Sequence, residues 1–259
     1  MKRHIDAPRD ADIPALRRLW KEAFGDSDAF LDTFWETAYS PARCRCVTVD
    51  GDVAAALYWF DCTHGEHRIA YLYAVATAKA YRGQGLCHAL MTNTHRHMTE
   101  QGYAGVMLSP GSDSLYGFYG GMGYRVCTFV REFTCHAAPA SDGAPSVCLR
   151  PLDISAYAAL RRRYLPADSV LQEGENLTFL HTMAAFYEGD GFLMAARTEG
   201  RMLRCVELLG DPTAAEHIVR TLGCETGFFR TPGTDIPLTV LLPLREQVPA
   251  PDYFGFPFD

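Results

Sequence analysis

Two stretches of this chain combine residue types and spacings that can do chemistry. The first is Val75-Ala76-Thr77-Ala78-Lys79-Ala80-Tyr81-Arg82-Gly83-Gln84-Gly85-Leu86-Cys87, which reads as a strand end, a glycine turn and a helix start. Such a turn directs unpaired backbone N–H groups and the positive end of a helix dipole at an anion. Gly83 and Gly85 carry no side chain where phosphate oxygens would approach, and Arg82 adds a cation. The same residues also suit a tight turn that holds no ligand. The second stretch is Leu115-Tyr116-Gly117-Phe118-Tyr119-Gly120-Gly121-Met122-Gly123-Tyr124. A tyrosine with its usual pKa near 10 can give a proton to a thiolate, or it can simply pack a helix on a sheet.

The glycine turn is not one of two familiar nucleotide loops. It lacks the Gly-Lys-Ser/Thr of a P-loop, and it does not open the first helix as Gly-x-Gly-x-x-Gly does in dinucleotide-binding domains. Metal chemistry finds little support. Cys44-x-Cys46 has no second pair at zinc-site spacing, and His95-x-His97 diverges on a helix. No metal ligand set is therefore expected. Arg161-Arg162-Arg163 reads as a solvated helix face.

The elements that must position these residues follow from hydrophobic periodicity. A short strand is expected over Met1–Ala7. Ile13, Leu16, Leu19, Trp20 and Phe24 recur at helical spacing after Asp10-Ala11-Asp12-Ile13-Pro14, where an Asp is a candidate cap, and Gly25 stops that helix. A second helix spans Asp28–Tyr39. Strands follow at Arg43–Asp50, Val53–Cys62 and Arg68–Thr77, the first two joined by the hairpin pair Asp50-Gly51. A long amphipathic helix covers Gly83–Gln101, then a strand Gly105–Ser109, a helix Ser112–Gly121 and a strand Tyr124–Thr134. This order is a mixed α/β layer arrangement with at least one crossover between parallel strands.

His136–Ser146 is small, polar and Pro-rich, and reads as a linker. Beyond it the order repeats at low resolution. A strand begins at Val147–Arg150, helices suit Ile154–Tyr164 and Leu177–Tyr187, and a hairpin suits Phe192–Arg197 and Met202–Leu209. A helix Pro212–Leu222 and strands Gly227–Phe229 and Leu238–Leu242 complete it. The expected organisation is one domain over residues 1–135, a linker over 136–146 and a second, related domain over 147–259.

The net charge of −7 argues against binding a phosphate backbone, and it suits cationic partners. Nine scattered cysteines, no signal-peptide core and no apolar run of membrane-span length point to a reducing cytoplasm, with no membrane and no nucleic acid as partners.

The run Arg82-Gly83-Gln84-Gly85-Leu86-Cys87, in this element order, resembles the Arg/Gln-x-x-Gly-x-Gly/Ala loop of the GNAT family of N-acetyltransferases. Cys87 departs from the pattern by standing where the family has Gly or Ala. The preceding Val75-Ala76-Thr77 makes the likeness one to the Eis-like branch, whose members carry a second GNAT-like domain. The resemblance implies tandem GNAT-like folds, with acetyl-CoA in a splayed gap of the first domain and a degenerate second domain. Backbone groups near Ala74, Val75 and Ala76 would pair with the pantetheine arm. Amides of Gly83, Gln84, Gly85 and Leu86 would hold the pyrophosphate.

The resemblance places Tyr119 as the general acid for the departing thiolate; Tyr116 and Tyr124 read as aromatic residues that pack this helix on the sheet. Many family members carry a glutamate base on the strand before the loop, but Ala70-Tyr71-Leu72-Tyr73-Ala74-Val75 has no carboxylate. In Eis-like enzymes the C-terminal carboxylate can serve, which would fall to Asp259. The aromatic tail Pro251-Asp252-Tyr253-Phe254-Gly255-Phe256-Pro257-Phe258-Asp259 is expected to be buried, either beside the site or merely packed on the second domain. That domain's corresponding turn, Leu209-Gly210-Asp211-Pro212-Thr213, would repel phosphate and is expected to bind no CoA.

The implied function is direct acetyl transfer from acetyl-CoA to a primary amine, either a small molecule or a Lys or N-terminal amine. A homo-oligomer is allowed. The alternative is a non-catalytic acyl-CoA-binding or regulatory protein on the same scaffold.

Overall fold

A computed structural model describes residues 2–139 and 147–258. Its strands are β1 (Arg3–Asp6), β2 (Cys44–Val49), β3 (Asp52–His64), β4 (His67–Thr77), β5 (Gly105–Leu108), β6 (Arg125–His136), β7 (Arg150–Leu152), β8 (Leu171–Gln172), β9 (Ala185–Gly189), β10 (Phe192–Glu199), β11 (Met202–Gly210), β12 (Thr226–Pro232) and β13 (Ile236–Pro243). Its helices are α1 (Ile13–Phe24), α2 (Asp28–Thr37), α3 (Leu86–Glu100), α4 (Asp113–Gly120), α5 (Ile154–Tyr164), α6 (Glu175–Met183) and α7 (Ala215–Thr221). The protein is therefore a mixed α/β fold, as its element order implies.

Twelve of the strands join in one path, β1-β2-β3-β4-β5-β13-β6-β12-β11-β10-β9-β7. Two neighbouring pairs are parallel, β4 with β5 and β11 with β12, and each is linked by a crossover helix. β8 pairs with β3 at Cys62 and Thr63, where β2 no longer covers that edge. The last strand, β13, inserts between β5 and β6 and runs antiparallel to both. β6 is long enough to pair with β13 through its first half and with β12 through its second. The two halves of the chain thus share backbone hydrogen bonds.

Alternation along β3 separates two layers. Tyr58 and Phe60 face a core built with α1 and α2, while Leu57 and Trp59 face a core under α3. The first of these cores also takes in Tyr157 of α5, Phe179 of α6 and the tail residues Tyr253, Phe254, Phe256 and Phe258. Phe179 stacks on Phe60 at 5.9 Å and meets Phe34 edge-on at 5.4 Å. Polar contacts secure the same seam. Asn176 Nδ2 donates to the Asp61 carbonyl at 2.8 Å, and the Asp61 N–H donates to Glu175 Oε1 at 3.0 Å.

Several local expectations change. Asp12 does not cap α1 with its side chain; its carboxylate accepts from the Arg9 backbone N–H at 2.9 Å and from the Arg9 guanidinium. The helix expected over Leu177–Tyr187 ends at Met183, and Ala185–Gly189 is a strand paired with β10 and β7. Its alternating half, with Phe186 inward, gains more from a sheet edge than from one further helical turn. Arg161 does not share the solvated face of Arg162 and Arg163; it is buried against Glu207.

Candidate functional site

The site begins where β4 and β5 part. Their parallel ladder pairs only Ile69 with Gly105, Ala70 with Val106, and Tyr71 with Met107. β5 ends at Leu108, while β4 runs on to Thr77. Beyond Tyr71, the edge of β4 that faced β5 has no strand beside it. On its other edge the register with β3 slips by one residue, between the pairs Tyr58–Tyr73 and Ala56–Ala76. Ala74 sits in this bulge with φ 49, a conformation uncommon for a residue with a Cβ and typical of strained functional backbone. The bulge and the splay together present β4 backbone groups to an open cleft.

Past Thr77 the chain turns into α3. Gly83 and Gly85 have φ of 75 and 72, the left-handed region that glycine occupies without strain. A Cβ built at either would meet no protein atom within 4 Å, so the space over the turn is open. The Ala89 N–H is the first to close α3, bonding the Gly85 carbonyl at 3.0 Å. The amides before it, from Leu86 to His88, form the free N-terminal turn of a fifteen-residue helix. Arg82 is anchored through Nε to the Thr77 carbonyl at 3.1 Å, and the Gln84 side-chain amide donates to the Ala80 carbonyl at 3.4 Å. Leu86 is buried and pins the helix start to the sheet. Cys87 is partly buried, and burial pushes its thiol up.

A cavity of about 680 Å³ opens at the splay. Ala74 and Val75 line it, and so does Tyr119, the last residue but one of α4. Arg82–Cys87 are not part of this lining; they stand past the end of the strand. Burial pushes the Tyr119 hydroxyl above its ordinary 10.0, with the Cys87 sulfur adding to the shift. Tyr119 packs edge-on against Tyr124 at 5.7 Å. The neighbouring tyrosines are engaged elsewhere. The Tyr124 hydroxyl meets His95 Nε2 at 2.7 Å, and Tyr116 donates to the Pro237 carbonyl at 2.9 Å.

The tail reaches the same cavity. Pro257 and Phe258 line it, and Tyr71 and Tyr73 of β4 donate to their carbonyls at 3.0 and 3.2 Å. Asp259, the candidate base, lies outside the described residues. The far wall is made by Trp20, Phe24, Asp26 and Phe30 from the α1–α2 hairpin, with Met183 and Arg197 from the second half. Sequence reasoning had assigned this wall's aromatic residues to helix packing, because their spacing is that of a core face. The structure leaves Phe24, at the end of that face, half-exposed, which the spacing does not reveal.

Behind the tail lies a buried polar anchor that sequence reasoning missed. Arg161 donates to both oxygens of Glu207, from Nε at 2.7 Å and from Nη2 at 2.8 Å. Tyr157 and Tyr253 donate to the same carboxylate at 2.8 and 3.1 Å. Gly255 passes so close that a Cβ there would lie 2.1 Å from Glu207 Oε1. Gln172 finishes the grip, donating to the Phe256 carbonyl at 2.9 Å and accepting from the Gly255 N–H at 3.1 Å.

The second half repeats the backbone plan. β11 and β12 are parallel only from Met202–Thr226 to Cys205–Phe229, and β11 bulges against β10 between Cys205 and Glu207. Here Glu207 and its partners fill the opening. The following turn places Asp211 at the helix start, where its carboxylate accepts from Thr213 and is held below its usual range.

The sequence over residues 4–127 matches the family described as acetyltransferase (GNAT) domain. Those residues form a GNAT domain. They contain the β4–β5 splay, the glycine turn and Tyr119. None of the curated proteins matches the chain significantly. Solved structures share its fold over nearly the whole length. A GCN5-related N-acetyltransferase from Kribbella flavida superposes with a TM-score of 0.69 at 16% identity, covering 93% of this chain and 70% of that one. Eis1 from Mycobacterium abscessus gives 0.65 at 13% identity, with 94% and 74% covered. A tandem GNAT protein from the clavulanic acid biosynthesis pathway gives 0.58 at 8% identity, covering 95% of this chain and all of that one. These likenesses are of fold, and they extend the GNAT architecture across both halves.

Proposed function

We propose that the protein transfers an acetyl group directly from acetyl-CoA to a primary amine, with the donor bound in the first half only. The observation that carries this reading is the conjunction at β4. A bulged, splayed strand leads to an open glycine turn at a helix start, and a buried tyrosine lines the cavity where the strand parts from its neighbour. The free edge of β4 around Ala74, Val75 and Ala76 suits the amides of a pantetheine arm. The amides of Gly83, Gln84, Gly85 and Leu86 suit a pyrophosphate, with Arg82 beside it and Cys87 behind it.

The thioester then falls near Tyr119. Burial keeps the phenol protonated, so its proton is in place when the thiolate leaves. The incoming amine must lose a proton. β4 offers no carboxylate, so a water, a backbone carbonyl or a more distant group such as the carboxylate of Asp259 takes the proton. The second half binds no CoA, because Glu207 fills its splay and Asp211 stands where phosphate would sit.

Thiol release from acetyl-CoA against a panel of amines tests the reading. Tyr119→Phe is expected to lower kcat by about 10²-fold or more while acetyl-CoA binding holds. Tight acetyl-CoA binding with no thiol release from any amine would instead support a non-catalytic acyl-CoA sensor, the reading favoured by the missing strand carboxylate.

A further inference from the structure

The far wall of the cavity limits what the acceptor can be. Among its described lining residues Asp26 is the one carboxylate and Arg197 the one cation, and Arg197 is already paired through Nε with Glu199 at 2.7 Å. The rest of the far wall is Trp20, Phe24, Phe30 and Met183. Trp20 holds Asp26 in place by donating from Nε1 to Oδ2 at 2.7 Å. Its ring meets Phe24 edge-on at 5.9 Å, lies 6.3 Å from Phe30 and 5.6 Å from Tyr73. Phe24 is 47% exposed and lines the cavity, so its ring is open to contact with a bound molecule. Met183 adds an adaptable thioether from the second half.

We infer that the acceptor is a monoamine on a compact aromatic or aliphatic body, such as an arylalkylamine, and not a polycation. This rests on the reading of the site as an amine acetyltransferase. An arylalkylamine buries its ring among Trp20, Phe24 and Phe30, where aromatic burial and edge-to-face contact are favourable. Its single ammonium is attracted by ring faces and by one carboxylate. A polyamine or an aminoglycoside would bring several ammonium groups into the same space. Each ammonium set against the far wall without a counter-charge loses hydration that Trp20, Phe24, Phe30 and Met183 do not replace. The overall charge of −7 attracts any cation to the surface but does not select within the cavity.

The test uses the full chain with acetyl-CoA and compares 2-phenylethylamine, spermidine and kanamycin by thiol release. In parallel, calorimetry measures 2-phenylethylamine binding to the CoA-loaded protein. The expected kcat/KM for phenylethylamine exceeds the other two by about 100-fold. Phe24→Ala is expected to raise its KM and its dissociation constant about ten-fold, as loss of one aromatic contact does, with CoA affinity and melting temperature held. A kcat/KM for spermidine or kanamycin equal to or above that of phenylethylamine overturns the inference and leaves amine acetylation standing. Phenylethylamine binding that depends on Phe24, with no thiol release from any amine, keeps the binding site and removes the acetyl transfer. No binding of phenylethylamine, or binding indifferent to Phe24→Ala, overturns the inference outright.

Discussion

The hydroxyl of Tyr71 donates to the carbonyl of Pro257 at 3.0 Å, joining the strand beside the cleft to a residue 186 positions later. Tyr73, two residues along the same face, does the same for Phe258 at 3.2 Å. The ring of Phe258 then packs on Phe60 at 4.6 Å. The tail is thus part of the cavity wall. Deleting residues 257–259 removes a buried phenylalanine worth about 3–5 kcal/mol. Thermal melts should show the midpoint lowered by roughly 5–15 °C. Thiol release should show kcat/KM down at least about ten-fold if the Asp259 carboxylate is the base. A truncated protein that folds and turns over like the full chain takes the tail out of the mechanism.

Gly85 tests the turn. With φ of 72 and no neighbour within 4 Å of a built Cβ, a valine there meets backbone strain but no protein clash. The strain costs about 1–2 kcal/mol. The added branch occupies the space over the free amides. Calorimetry should find acetyl-CoA affinity lowered ten-fold or more for Gly85→Val, beyond what the small loss of stability explains. Unchanged affinity would mean that the phosphates bind elsewhere.

The Arg161–Glu207 pair predicts a contrast between sequence neighbours. Glu207→Ala leaves a buried guanidinium without its carboxylate and two tyrosine hydroxyls without their acceptor. Urea denaturation should show a loss of about 3–5 kcal/mol. Arg162→Ala removes an exposed pair with Glu173 and should leave the midpoint nearly where it was. Equal effects would contradict the burial that separates the two arginines.

His95 predicts a dependence on pH. Burial holds its imidazole down to about 4, below the usual 6.5, and Nε2 of the neutral ring shares a hydrogen bond with the Tyr124 hydroxyl at 2.7 Å. The unfolded chain therefore takes the proton first as pH falls. This contribution to stability is complete above pH 6.5 and is lost between 6.5 and about 4, amounting to on the order of 3 kcal/mol. Urea midpoints at pH 7 and 4.5 should differ less for His95→Gln than for the native chain. A native-like difference in the variant would assign the acid sensitivity to other groups.

The elements around the loop were legible from local pattern. The strand expected over Arg68–Thr77 is His67–Thr77, and the helix expected over Gly83–Gln101 is Leu86–Glu100. Elements whose state depends on distant partners were not. Ala185–Gly189 reads as the end of a helix until β10 and β7 stand beside it. Arg161 reads as one of three solvated arginines until Glu207, 46 residues away, is brought against it. Charge runs carry no mark of which member is buried, since that depends on the helix face the rest of the fold covers.

What the amino-acid order determined by itself is the character of the glycine turn. Positive φ at Gly83 and Gly85, and free amides at a helix start, are properties of a few adjacent residues, and they needed no knowledge of the rest of the chain. Tertiary structure decided the surroundings. Only pairing across more than a hundred residues places β13 between β5 and β6, lays the tail on Tyr71 and Tyr73, and sets the α1–α2 hairpin opposite Tyr119. Such contacts arise because separate apolar faces and unpaired strand edges find their burial together, and no local pattern records which faces will meet.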